Sequence, residues 1–128
     1  YPSRFQAAAI RFKNSMQENA KMHAISEDVI ESCHNGIVPW EKSTNIKPIL
    51  IRGLDDHEKT KERWEVLKEF LAKEDIDYWE ISSIKGNILS KIINLIYQLD
   101  YASIYFSMLS KIDPSPVISI DKIKNKIK

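Results

Sequence analysis

The sequence predicts an α/β fold: a three-layer αβα sandwich in which a small parallel sheet lies between helix layers. Segments with a helical apolar period alternate with short runs rich in β-branched residues. The connections between those runs are long enough for helical crossovers, which makes the strands parallel. The best run, Pro48-Ile49-Leu50-Ile51-Arg52, is apolar almost throughout, as a strand covered on both faces must be. With 128 residues, 43% of them hydrophobic and 29% charged, the chain is one domain's worth and has material for a packed core. Only two strands are this clear, which is thin for an independent sheet and points to one lobe of a larger two-lobe protein. The chain begins at Tyr1 rather than Met, so an upstream part was removed or the sequence is a piece of something longer.

Ser3 with Gln6 makes a capping box, and Phe5, Ala9, Phe12 and Met16 then line one face of a helix running to about Ala20. Met22-His23-Ala24-Ile25 is a candidate short strand. Ser26 caps a short helix with Glu27 and Asp28 in its first turn, and Asn35-Gly36 ends it with residues that tolerate positive φ. Residues 40–47 form a polar connector before the first strand, which Gly53 closes. Asp55-Asp56 opens a charged helix with a buried stripe of Trp64, Leu67, Phe70 and Leu71. Residues 76–81 read as the second strand. Gly86-Asn87 leads into a long apolar helix over 88–112, which Asp113-Pro114 stops. After Pro114-Ser115-Pro116, Ile120, Ile123 and Ile127 mark a last amphipathic helix.

Nineteen Lys and Arg against eighteen Asp and Glu leave a net charge of +1, which removes the simplest case for a nucleic-acid binder. The single cysteine, Cys33, cannot form an internal disulfide and fits a reducing, cytoplasmic setting. Arg4, Arg11 and Lys13 interrupt any signal-peptide pattern. The long helix tempts a membrane reading, but Lys91, Asn94, Gln98, Asp100, Ser103, Ser107 and Lys111 would cost too much in lipid, so no membrane partner is expected. Gly36, Gly53 and Gly86 stand too far apart for a phosphate loop, and no Cys/His cluster has zinc spacing. The helix over 88–112 is apolar nearly all round. One side of it would face a missing lobe or a second subunit, unless it is simply the central helix of a closed core.

Two segments carry candidate chemistry: Gln17-Glu18-Asn19-Ala20-Lys21 and Glu31-Ser32-Cys33-His34-Asn35-Gly36. Each puts an ionisable group at a helix end beside a turn. A carboxylate and an imidazole facing one cleft can shuttle protons near neutral pH. A Glu near a helix end is as a rule a solvated charge, however, and a His before Asn-Gly a helix cap, so the spacing leaves both readings open.

These segments resemble the carboxyl-terminal sugar-isomerase (SIS) lobe of the bifunctional phosphoglucose/phosphomannose isomerases. That family carries Asn-Glu-Asn-Ala-Lys, standing here as Gln17-Glu18-Asn19-Ala20-Lys21. Its Pro-Glu-x-x-His-Asn-x-Ile-x-Gly-Trp-Glu is matched by Glu31, His34, Asn35, Ile37, Trp40 and Glu41. Its closing pattern is matched by residues 112–117 and 120–124, so the similarity spans nearly the whole chain. Gln17, Ile30 and Pro39 depart from the motifs.

The resemblance implies a SIS-type fold, with 1–128 as the carboxyl-terminal lobe and the amino-terminal phosphate-binding lobe absent. It implies an enzyme interconverting glucose 6-phosphate with fructose 6-phosphate through a cis-enediol, with mannose 6-phosphate as a further candidate substrate. Glu18 would be the base, and His34, given to the neighbouring subunit of a homodimer, would open the sugar ring. Lys124 matches a lysine of the family site, although Lys122, Lys126 and Lys128 crowd it and lysines at a helix end favour the dipole anyway. Val117 stands where some archaeal members have a threonine linked to accepting the mannose epimer. No cofactor or metal is implied. The isolated chain would be weak or inactive for want of the phosphate grip. A non-catalytic sugar-phosphate-binding module, or an interaction domain using the Lys-rich end with Trp40, Trp64 and Trp79, are the alternatives.

Overall fold

A computed structural model describes residues 1–42 and 44–127. Ser43, in the predicted connector, and Lys128, at the Lys-rich end, lie outside the described residues. In order the elements are α1 (Gln6–Asn19), α2 (Val29–Ser32), β1 (Ile49–Arg52), α3 (Glu58–Lys73), β2 (Trp79–Ser82), α4 (Ile88–Leu109) and α5 (Ile118–Lys126). The two strands are parallel, with Ile49 opposite Trp79 and Arg52 opposite Ser82. β1 is covered on both faces as its composition requires. Ile51 joins Phe5, Ala8, Ala9, Phe12, Met16, Leu95 and Leu99, which puts α1 and α4 on one side. Leu50 points the other way into Val29, Trp64, Leu67 and Leu71, which puts α2 and α3 on the opposite side. That alternation across the pleat makes the three layers. In β2 only Ile81 is half-buried, so that strand forms the outer edge.

The apolar stripes fall where their periods put them, except that Phe70 is only half-buried at the edge of its stripe. The second strand spans Trp79–Ser82 rather than 76–81, and several local signals act otherwise. Ser3 caps nothing: it lies in a 3-10 turn ahead of α1, and its hydroxyl donates to Asp28 Oδ2 at 2.9 Å. Residues 22–25 form no strand. Backbone pairing comes just after this stretch instead, where Tyr1 N donates to Glu27 O and Val29 N donates to Tyr1 O, the alternation of parallel pairing. Asp28, not Ser26, caps α2, accepting from Ile30 N at 2.8 Å. Gly36 is needed for close approach rather than for positive φ, since a Cβ there would meet the Glu27 carboxylate and the Ser32 backbone. Residues Val38–Glu41 of the connector region make a 3-10 turn.

α3 starts at Glu58 behind His57, whose Nδ1 accepts from Lys59 N, because Asp55 and Asp56 are engaged elsewhere. α4 stops at Leu109, short of Asp113-Pro114. Lys111 takes left-handed backbone (φ 58°), and Lys111 N and Ile112 N donate back to Met108 O and Ser107 O. That pair of bonds is a Schellman ending, and α3 closes the same way at Asp75 (φ 55°).

The largest departure is the polarity of α4. Its buried positions are Lys91, Leu95, Leu99, Ser103 and Ser107, whereas Leu89, Ile93, Tyr97, Tyr105 and Met108 are exposed. Three polar residues that interrupt the apolar run in the sequence are thus the ones turned inward. Ser103 and Ser107 enter the core because each hydroxyl donates to a carbonyl of its own helix, Asp100 O and Ile104 O, both at 2.7 Å. Their small size, like that of Ala8 and Ala9 on α1, lets the layer close. The outward side carries a ladder of Tyr97, Tyr101 and Tyr105, with ring centroids 4.8 and 6.2 Å apart.

Candidate active site

α1 and α4 lie on the same face of the sheet and run in the same sense, as their cross-contacts show: Arg11 and Ser15 meet Asp100, and Asn19 meets Ser103. The Arg11 guanidinium donates twice to the Asp100 carboxylate, at 2.7 and 2.9 Å, and Ser15 Oγ adds a third donor at 3.0 Å. Hydrogen bonding to Asp100 and its charge raise the Arg11 pKa further above its already high value. Asn19 Nδ2 donates to Ser103 Oγ at 2.8 Å, which completes a polar seam beside the apolar one.

Along this seam runs an open groove of about 580 Å³ lined by Arg11, Asn14, Ser15, Glu18, Asn19 and Asp100, among others. Helical spacing explains the set: positions 11, 14, 15 and 18 fall on one face. Glu18 is exposed at the carboxyl end of that face, without an ion-pair partner among the described residues. The carboxylate can therefore meet a solute in the groove, on a helix whose rotation is set by the buried stripe of Ala8, Ala9, Phe12 and Met16, with the Arg11–Asp100 pair at its rim.

Lys21 of the same motif is turned away from the groove. Its backbone is left-handed (φ 54°), and its ammonium donates to Glu18 O at 2.6 Å, Pro116 O at 2.7 Å and Pro114 O at 3.4 Å. The loop ahead of α5 is thereby tied to the end of α1. Asp113 Oδ1 accepts from Ser115 N at 2.9 Å, and hydrogen bonding from Ser115 holds that carboxyl below the usual range.

His34 and Lys124 do not line the groove that holds Glu18. His34 is exposed on the turn after α2, with its backbone N donating to Glu31 O, and Lys124 is exposed on α5, which buries no residue. Cys33, next to His34, is half-buried, and burial pushes its thiol pKa up.

A second polar cluster sits at the carboxyl ends of the strands. Asp56 is only 4% exposed and accepts from Gly53 N (2.9 Å), Trp64 Nε1 (3.1 Å) and Arg4 Nη2 (2.8 Å). A Cβ on residue 53 would collide with both Asp56 and Arg4, which makes Gly53 obligatory there. Beside it Asp55 accepts from Arg4 and from the buried Lys91, whose hydrogen bond holds the Asp55 carboxyl below its ordinary range. Cations and carboxylates balance within this cluster, so it acts as a structural knot joining the chain start, the end of β1 and α4. Among the described residues no three His, Cys, Asp or Glu side chains converge on a metal-sized centre, and no helix is long and apolar enough to cross a membrane.

Sequence reasoning assigned no role to Arg11, Asp100 or Lys21. Arg11 and Asp100 are 89 residues apart, and only the packing of α1 on α4 makes them partners. The one signal available was the charge in Lys21 at a helix end, where orphan carbonyls await a donor.

The family model described as the bacterial phospho-glucose isomerase C-terminal SIS domain matches residues 1–127. The bifunctional phosphoglucose/phosphomannose isomerase of Caldicellulosiruptor bescii is 31% identical over 126 residues, covering 95% of this chain and 37% of that protein. The protein of the same description from Thermoplasma volcanium is 32% identical over 132 residues, covering 99% and 41%. The chain thus spans about two fifths of the length of the curated relatives it matches. Among solved structures, a glucose-6-phosphate isomerase like protein from Thermus thermophilus superposes with a TM-score of 0.71 at 16% identity, covering 98% of this chain and 41% of the other, a likeness of fold.

Proposed function

This chain belongs to the bacterial phospho-glucose isomerase C-terminal SIS domain family, and from that premise we propose that it carries the proton-transfer groups of an aldose–ketose isomerase acting on glucose 6-phosphate and fructose 6-phosphate. The observation that carries this reading is Glu18: an exposed carboxylate on the wall of an open groove of mixed polarity that also holds the bidentate Arg11–Asp100 ion pair. A base for this reaction must approach C2 of the open-chain sugar within about 3 Å and remain in reach of C1. Glu18 takes the proton from C2, leaving a cis-enediol once the C1 oxygen is protonated. The same carboxylic acid then returns the proton to C1 as the O2 proton departs, which yields the ketose. The chemistry is acid–base throughout and uses no cofactor.

His34 is assigned to opening of the sugar ring. Its place outside the Glu18 groove supports a role in the groove of a second copy, in a homodimer with shared sites. Lys124 on α5 and Val117 just before it are assigned to the far side of the same site, with Val117 leaving acceptance of mannose 6-phosphate open to assay. The phosphate grip belongs to an amino-terminal lobe outside this chain, which supports weak or no turnover by residues 1–128 alone. A cytoplasmic setting for the whole protein is part of the same reading. The outward apolar side of α4 supports the picture of a surface that is covered in the assembled protein.

Glu18→Gln in the intact protein tests the assignment. Turnover, and exchange of a C1 hydrogen of fructose 6-phosphate with solvent, fall by about 10²–10⁴-fold, the usual range for loss of a positioned base. Ordinary exchange in that variant removes Glu18 from the role. Binding of fructose 6-phosphate without exchange in the wild type would instead mark a non-catalytic binding module.

A further inference from the structure

The ammonium of Lys21 lies between the end of the helix that carries Glu18 and the turn that starts α5, and we propose that Lys21 is a positioning residue: it sets where α5 stands relative to the Glu18 carboxylate. The inference deepens the reading of Glu18 as the base, on which its kinetic part rests.

The turn ahead of α5 has little else to hold it. Pro114 and Pro116 have no N–H to donate, and the Ser115 N–H is taken by Asp113 Oδ1 within the turn itself. α5 buries no residue against the rest of this chain, and Ile118, Ile120, Ile123 and Ile127 are all exposed, so apolar burial among the described residues does not fix the helix to α1. Lys21 supplies the missing bond. Its three N–H groups meet Glu18 O, Pro116 O and Pro114 O, one acceptor from α1 and two from the turn. The α1 acceptor is one of the last carbonyls of the helix, which have no partner within it, and a cation there also meets the negative end of the helix dipole.

The backbone at this position supports the same inference. Among the described residues, three have left-handed backbone without being glycine: Lys21, Asp75 and Lys111. At Asp75 and Lys111 the pair of Schellman bonds explains the conformation. At Lys21 the backbone pattern differs, with Met22 N reaching back only to Met16 O at 3.4 Å, and the side chain makes the stronger bonds. The left-handed turn aims the side chain back across the end of α1 and onto the Pro114-Ser115-Pro116 turn.

The test is carried out in the intact protein with Lys21→Met, which keeps the aliphatic length, Lys21→Arg, which keeps the donors, and Lys111→Met as the control at a matched backbone conformation. Amide hydrogen exchange over 115–126 reads the tie directly and does not depend on turnover. It rises about tenfold in Lys21→Met, since hydrogen bonds from a charged group are lost, while residues 6–19 keep their protection. In the same variant kcat falls about tenfold with KM changed less than about threefold, because misplaced groups affect the chemical step more than binding. Lys21→Arg restores both readouts and Lys111→Met alters neither. Unchanged exchange over 115–126 in Lys21→Met overturns the inference, and so does faster exchange with unchanged kcat. Failure of the Glu18 assignment is seen separately, in Glu18→Gln, and leaves the exchange result standing.

Discussion

On the α3 side of the sheet one large residue, Trp64, fills the layer and gives its indole N–H to the buried Asp56. On the α1/α4 side Phe5, Phe12, Met16, Leu95 and Leu99 share the layer with several small residues, and polar pairs along its rim hold the two helices in register. The contrast follows from what each side has to do. On the first side one long helix, α3, with only the short α2 beside it, needs bulk to cover the sheet, and an aromatic ring supplies the area in one step. Two helices packed side by side need close approach, which Ala8, Ala9, Ser103 and Ser107 permit, and a fixed rotation, which Arg11–Asp100 and Asn19–Ser103 provide. Bulk makes the first side stable. On the second, polar register aims particular side chains outward, and that is the side with Glu18 and Lys21.

Trp64→Ala gives the sharpest test of this contrast and the largest expected effect. Truncating a fully buried Trp costs about 3–5 kcal/mol, and here Asp56 also loses a donor. Urea unfolding measures it, and a loss under about 1 kcal/mol would show that the α3 side does not depend on its ring. On the other side addition, not removal, is the informative change. Ala8→Leu, at a position with no exposed surface, overpacks the α1 layer and costs about 1–3 kcal/mol by the same measurement.

Arg11→Ala comes third. The Arg11 side chain is more than half exposed, so stability falls only slightly and the difference shrinks with added salt. Its larger effect is on function: the groove wall beside Glu18 loses its cation, so turnover falls by more than the stability change predicts, and equal small losses in both would remove Arg11 from the site.

The smallest effect is in acid. The Asp55 carboxyl is held below its ordinary range by the hydrogen bond from Lys91 and by Arg4, so its folded value lies below its unfolded one. That contribution is complete above the ordinary carboxylate range, near pH 4, and is lost as pH falls through the depressed folded value. Thermal unfolding of the wild type and of Asp55→Asn should differ at neutral pH and converge at low pH. A gap that persists in acid would mean the knot at the strand ends does not depend on this charge.

Much of the architecture was legible from period alone. The stripe of Phe5, Ala9, Phe12 and Met16 is buried as spaced, as are Trp64, Leu67 and Leu71, and the apolar run of β1 lies between two layers. Local polar signals were less informative. Ser3, Ser26 and the Asp55-Asp56 pair all have the composition of helix caps. Ser3 and Asp56 are spent on Asp28, and on Arg4 and Trp64, while Asp28 and His57 do the capping. Of the candidate site, the sequence marked Glu18, His34 and Lys124 through resemblance. Only the packing shows that Glu18 lines the α1/α4 groove and that the other two do not.

By itself the sequence determined the long helices, the two paired strands, their order, and that β1 must be covered twice, though not the state of residues 22–25, because apolar spacing is a local property that survives whatever the chain packs against. Tertiary structure alone decided which side of α4 turns inward, and that Arg11 finds Asp100, Lys91 finds Asp55 and Lys21 finds Pro116. A period says that a helix has two unlike faces without saying which one the neighbour needs. A charged group's partner is set by the fold that brings distant segments together, and no local pattern encodes it.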